Sequence, residues 1–298
     1  MASTRFGRVL TAMVTPFGAD GSIDFDVAAA LARFLVEEGS DGLVLAGSTG
    51  EGSALSDDEK LDLFACVARA VTVPVLAGST SSDTAHSANL TSRVAATGVA
   101  GVLATTPAYA RPSQRGIAGH LGAVADSTDL PIMLYDIPAR TGRKIASATT
   151  IEVVRAHHNV VALKDASGDL PAAAHTKAVL GDELDLYSGD DALLLPFLAI
   201  GAVGIVSVAA HWAGREFAEL VRCAGDGDWD GARALNERLF SSCAFESSEA
   251  APNPQPAKAA MRALGLAVGQ CRWPLGPADE ALDQAAQSVI AGLRSLRG

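Results

Sequence analysis

Aromatic residues are scarce: Phe, Tyr and Trp make up 5% of the 298 residues, whereas 49% are hydrophobic. A core must therefore be built mainly from Ala, Val and Leu, which suits helices packed over a parallel sheet better than an aromatic-rich sandwich. Positive charge is also short. The 23 Lys and Arg against 34 Asp and Glu give a net charge of −11, which argues against nucleic-acid binding, since that needs a basic face to neutralise phosphates. The four cysteines (Cys66, Cys223, Cys243, Cys271) are far apart and form no CxxC pair, so reduced, mostly buried thiols of a cytosolic protein are expected. Of six histidines only His157 and His158 are close. They lack the one-turn spacing of a helical metal site, and no metal is implied. The sequence shows no signal peptide and no apolar run long enough to span a bilayer. The expectation is a soluble, cytoplasmic protein with no membrane partner.

What is present is a recurring unit. Short runs rich in Val, Ile and Leu occur at Val9–Val14, Gly42–Gly47, Val73–Gly78, Gly101–Thr105, Pro131–Asp136, Val160–Lys164, Asp185–Ser188 and Gly204–Val208. They do not alternate polar with apolar, so both faces should be buried, as in a parallel sheet. Between them lie amphipathic segments such as Phe25–Glu38, Ser56–Ala70 and Asp83–Ala96, with Ser56, Asp83 and Ser113 as candidate helix caps. Strand and helix alternating about eight times predicts a (β/α)8 TIM barrel. An open doubly wound sheet would carry a glycine fingerprint in its first turn, and Thr15-Pro16-Phe17-Gly18 lacks one. After Val208 only helices are predicted, at Ala213–Ala224, Trp229–Ser242, Pro256–Leu266 and Pro277–Leu296. The first closes the barrel and the others form a C-terminal helical extension. That division predicts a catalytic barrel over 1–224 and a helical domain over 225–298.

In such a barrel the reactive groups sit at the C-terminal ends of the strands and in the loops that follow. Lys164, one of only five lysines, ends the run Val160-Val161-Ala162-Leu163. A lysine desolvated there is held partly as the neutral amine that attacks a ketone; alternatively it pairs with Asp165 or reaches to water. Tyr135 ends the preceding run, where a phenol can shuttle protons or simply pack against the rim. Gly47-Ser48-Thr49-Gly50-Glu51 can turn its amides and hydroxyls onto a small carboxylate, although many such loops carry Gly and Ser for turn geometry alone. Glu51 reads best as an anchor for that loop. Arg140, beyond Pro138, can hold a second carboxylate bidentately or face solvent.

Taken together, six motifs in matching order and spacing carry a resemblance. They are Gly47-Ser48-Thr49-Gly50-Glu51, Thr106-Pro107-Ala108-Tyr109, the segment from Tyr135 to Gly142, Leu163-Lys164-Asp165, Ser188-Gly189-Asp190-Asp191 and Pro252-Asn253-Pro254-Gln255-Pro256. The chain resembles the dihydrodipicolinate synthase and N-acetylneuraminate lyase family over essentially its whole length.

The resemblance implies a lyase of the class I aldolase type in which Lys164 forms a Schiff base with pyruvate and Tyr135 donates and accepts the proton. Ser48 and Tyr109 would complete a relay, Tyr109 reaching in from a neighbouring subunit of a homotetramer built as a dimer of dimers. Thr49, the backbone of Val206 and Gly189 would hold substrate, with no metal or organic cofactor. Arg140 after Pro138-Ala139 is similar to the arginine of the synthases, which grips the carboxylate of L-aspartate 4-semialdehyde. The implied product is 4-hydroxy-tetrahydrodipicolinate, in lysine and diaminopimelate biosynthesis. A pyruvate-dependent aldolase or dehydratase acting on a sugar-derived 2-keto acid stays open as an alternative, as does a catalytically silent binding homologue. The chain departs from the family pattern at Ser48, where threonine is commoner, and at Ala108, where an aromatic residue usually packs across the subunit interface. In regulated members lysine binds at that interface to acidic, amide and aromatic side chains. Those positions fall here on His86, Ser82 and Ala108, with Lys60 beside them, which implies weak inhibition by lysine or none.

Overall fold

The eight apolar runs become β1 (Val9–Ala12), β2 (Gly42–Leu45), β3 (Val75–Gly78), β4 (Gly101–Thr105), β5 (Ile132–Asp136), β6 (Val160–Asp165), β7 (Asp185–Ser188) and β8 (Gly204–Ser207). They are seen in a computed structural model that describes residues 4–246, 248 and 250–295. Each strand pairs in parallel with the next, and β8 pairs with β1, so the sheet closes into a barrel in sequence order. Short strands of this kind are buried on both faces, which is why they read as unbroken apolar runs. The β2 strand stops short of its run because Ala46 turns to a left-handed φ of 51° and starts the loop that follows.

The first helices are α1 (Phe25–Glu37), α2 (Asp57–Ala70), α3 (Thr84–Val94) and α4 (Gln114–Ala125). Their starts are fixed by side chains: Asp24, Ser56, Asp83 and Ser113 each accept a first-turn N–H, and Glu59 returns the bond to the Ser56 N–H. The barrel continues with α5 (Pro138–Thr141), α6 (Ser147–Ala156), α7 (Leu170–Leu180), α8 (Leu194–Ala199) and α9 (Ala210–Gly225). The α9 helix begins before the predicted Ala213 because that residue is a break inside it (φ −123°, ψ 24°), and the helical period is legible only after the break. The C-terminal helical part comprises α10 (Trp229–Phe245), α11 (Gln255–Ala263) and α12 (Glu280–Ser295). The predicted end at Leu296 lies outside the described residues. Trp212 of α9 donates its indole N–H to Ser242 of α10 at 3.0 Å and meets Phe245 edge-on, with ring centroids 5.9 Å apart. Among the described residues no helix is long and apolar enough to cross a membrane.

Two packed layers result. Leu10, Val44, Leu76, Leu103, Met133, Ala162, Tyr187 and Val206 fill the barrel interior. Val9, Leu43, Leu45, Val75, Ile132, Leu134, Val160 and Leu163 point outward to Leu31, Phe64, Leu121, Phe217 and other helix residues. Strand β6 breaks the strict alternation. Ile132 pairs with Val160 but Met133 pairs with Ala162, so Val161 is an extra residue, and both Val161 and Ala162 join the interior cluster. One inserted residue reverses which face every later side chain meets. The bulge is therefore what turns Lys164 into the barrel.

Candidate active site

Tyr135 and Lys164 are the penultimate residues of the adjacent strands β5 and β6, each strand running one residue further, to Asp136 and Asp165, and they are direct register partners. The lysine Nζ lies 4.1 Å from the centroid of the tyrosine ring, and each residue is only 4% exposed. Gly189, at the end of β7, makes room for the lysine stem. A Cβ there would stand 3.0 Å from Lys164 Cγ and 2.9 Å from Ala166 Cβ. Burial lowers the Lys164 pKa to about 8; the Asp191 and Glu246 carboxyls oppose that shift, and the Arg140 guanidinium adds to it. An amine so placed is partly neutral near physiological pH and can attack a carbonyl carbon. Burial pushes the Tyr135 phenol upward, opposed by Arg140 and by a hydrogen bond with Ser48, so it stands protonated as a donor.

The Ser48 loop is tightly held. It is bracketed by two left-handed non-glycine residues, Ala46 at φ 51° and Glu51 at φ 54°, a strain typical of functional turns. A Cβ on Gly52 would lie 1.9 Å from Ala46 O, so no other residue closes this turn. Glu51 is the expected anchor: its buried carboxylate pairs with Lys258 of α11 at 2.7 Å and accepts the Arg272 N–H at 2.8 Å. Thr49 is 4% exposed, and its hydroxyl accepts from Asn253 Nδ2 at 2.8 Å. Val206 lies in the barrel interior, opposite Leu10 of β1.

Arg140 stands on α5, whose start is set by Pro138 and whose end is closed by Gly142. Its Nη2 donates to Asn253 O at 3.2 Å, and the guanidinium lies near enough to Tyr135 and Lys164 to lower the pKa of both. Tyr109 is the exception among the candidates. It is 97% exposed in the single chain with φ 67°, so the chain alone brings together Lys164, Tyr135, Ser48, Thr49 and Arg140 but not Tyr109. Three further residues belong to the site although no role was read for them. Asn253, of the Pro252–Pro256 motif, ties Thr49 to Arg140. Asp191, of the motif Ser188-Gly189-Asp190-Asp191, accepts the N–H groups of Val208 and Ala209 at 3.1 and 2.7 Å. Glu246, at the end of α10, carries no sequence signal.

A parallel barrel with a buried lysine facing a phenol at its C-terminal rim defines the architecture of an aldolase-type lyase. The model of the dihydrodipicolinate synthetase family matches residues 5–292, and the chain belongs to that family. It is 46% identical over 273 residues to the 4-hydroxy-tetrahydrodipicolinate synthase of Moorella thermoacetica, covering 91% of this chain and 92% of that one. It is 41% identical to the enzyme of the same name from Desulforamulus reducens, over 99% of this chain and 100% of that one. Among solved structures, the DHDPS of Cyanidioschyzon merolae with lysine bound superposes with a TM-score of 0.95 at 38% identity, covering 98% and 99% of the two chains.

Proposed function

We propose that this protein is a 4-hydroxy-tetrahydrodipicolinate synthase, condensing pyruvate with L-aspartate 4-semialdehyde. The observation that carries the reading is Lys164, buried, turned into the barrel against Tyr135 and with its pKa lowered to about 8; the names of the relatives agree with it. The amine attacks the pyruvate ketone, and Tyr135, through Ser48, supplies the proton that lets the carbinolamine lose water as the imine forms. Loss of a methyl proton gives the enamine, whose carbon attacks the aldehyde of the second substrate. The amino group of that substrate then attacks the imine carbon, closing the ring and releasing Lys164. The covalent imine is the electron sink, so the reaction draws on no metal or organic cofactor.

Thr49, Gly189 and the backbone of Val206 hold pyruvate, and Arg140 receives the carboxylate of the aldehyde. Tyr109 completes the relay from a second copy of the chain, in a homotetramer built as a dimer of dimers. Its 97% exposure and left-handed backbone suit a residue held by a partner. We take 1–224 as the catalytic barrel, since all eight strands fall within it, and 225–298 as a helical domain carried on it. The four unpaired cysteines suit a cytoplasmic location.

A substrate panel tests the reading. Purified protein with pyruvate should consume aspartate semialdehyde and leave sialic acid and 2-keto-3-deoxygluconate uncleaved. Cleavage of either sugar acid in preference would assign the chain to the sugar-acid branch, and turnover of none would make it a silent homologue.

A further inference from the structure

Glu246 enters the site from outside every recognised motif. It follows the last turn of α10, whose end is fixed by Phe245 against Trp212, and α10 packs on the turn after β7 that carries Asp191, close enough for the two carboxyls to share a proton. Asp191 is 3% exposed. Its Oδ2 accepts the two backbone N–H groups at the end of β8, while its Oδ1 and Glu246 Oε2 are both sealed from solvent without an N–H or hydroxyl donor.

Two carboxyl groups that meet this way need one proton between them. Two anions would repel in a desolvated site, and two neutral acids would leave the N–H pair on Asp191 without its charge. Two N–H groups already donate to Asp191 and no N–H or hydroxyl donates to Glu246 Oε2, so the shared proton resides on Glu246. The surrounding groups agree: burial, Asp191 and Asp190 all push the Glu246 carboxyl far above its usual range, and only Lys164 opposes them. Cys243 of α10, Tyr135 of β5, Arg140 of α5 and His211 of α9, whose pKa burial lowers to about 4, are the other charged and titratable groups that act on Asp191, Glu246 or Lys164.

We propose that Glu246 is a positioning residue that holds the Asp191–Glu246 pair at a single negative charge, and that this charge is the counter-ion of the Lys164 imine. The inference rests on the Schiff-base reading of Lys164 and extends it. Imine formation converts a neutral amine into a buried cation, which a fixed anion stabilises. A doubly charged pair would instead hold Lys164 as ammonium and remove the nucleophile. One shared proton meets both demands.

Two readouts test this. In wild-type protein at pH 8, infrared spectra should show the carbonyl stretch of a protonated carboxyl that disappears in Glu246→Gln. In the pH dependence of pyruvate imine formation, trapped with borohydride, Glu246→Ala should move the midpoint upward by about half a unit, because Asp191 then keeps its charge without the Glu246 hydrogen bond that draws it away from Lys164. Glu246→Gln, which still donates to Asp191, should restore the midpoint. A midpoint that stays or moves down in Glu246→Ala would show that Glu246 is ionised or remote, and a band that survives in Glu246→Gln would overturn the shared proton. If wild-type protein is not trapped at Lys164 at all, the Schiff-base reading fails and the counter-ion role falls with it, whatever the band shows.

Discussion

Lys258 Nζ lies 2.7 Å from Glu51 Oε1, with the two side chains 0% and 1% exposed. The same ammonium donates to Gln270 O at 2.9 Å and sits 4.1 Å from the centre of the Phe17 ring. This ion pair joins α11 to the loop that carries Ser48 and Thr49, and Asn253 reinforces the join by its bond to Thr49. The C-terminal helices thus hold one wall of the site.

Breaking that pair should be costly. Lys258→Ala leaves the Glu51 carboxylate buried without a counter-charge, and a loss of about 3–5 kcal/mol is expected in denaturant unfolding. A loss below about 1 kcal/mol would mean that water replaces the ammonium and the pair is incidental.

The proposed role of Arg140 concerns the second substrate alone. Arg140→Ala should leave pyruvate imine formation intact while lowering kcat/KM for aspartate semialdehyde by roughly thirtyfold, about 2 kcal/mol. Unchanged kinetics with that aldehyde would show that the guanidinium only braces Asn253.

Asp136 gives a stability signature with a definite sign. Burial raises its pKa from 3.8 to about 7, against the Ile145 N–H that it accepts. Between those values the folded chain keeps a proton that the unfolded chain releases, so this contribution is present at acid pH and lost as pH rises to about 7. Asp136→Asn keeps the acceptor and removes the charge. Its stability relative to wild type should be about 2–3 kcal/mol more favourable at pH 8 than at pH 5 in paired unfolding titrations. Equal differences at the two pH values would contradict the raised pKa.

Much of the barrel was legible because its strands are buried on both faces, so Val160–Leu163 and its seven counterparts stand out as apolar runs. The direction of Lys164 was not. It depends on the bulge at Val161, and an extra valine in a run of valines leaves no mark on hydrophobic pattern. Lys258 falls in the predicted helix Pro256–Leu266, and nothing local in the sequence shows that α11 buries that side of itself. Glu246 was silent for the opposite reason: it looks like an ordinary charged residue at a helix end, and only the packing of α10 against the turn after β7 brings it to Asp191. Tyr109 stands out in its motif, but in the single chain it is exposed, and in the proposed tetramer the residues it meets would belong to another copy.

Inhibition by lysine should be weak. His86 is paired with Asp57 at 2.7 Å, Ser82 is spent on Ala108 O at 2.9 Å, and Lys60 is buried beside them with its pKa lowered by desolvation. A cationic ligand would meet another ammonium there, with Ala108 in place of an aromatic ring. In a titration with L-lysine, half-inhibition well below millimolar would contradict this account of the pocket.

The Schiff base itself is the most direct test. Borohydride reduction in the presence of pyruvate, followed by peptide mass mapping, should add the reduced pyruvyl group at Lys164 and at none of Lys60, Lys144, Lys177 or Lys258. With an amine pKa of about 8, the initial trapping rate should fall about tenfold per pH unit below about pH 7. An adduct at Lys144, or no adduct at any pH, would contradict the assignment of Lys164 as the nucleophile.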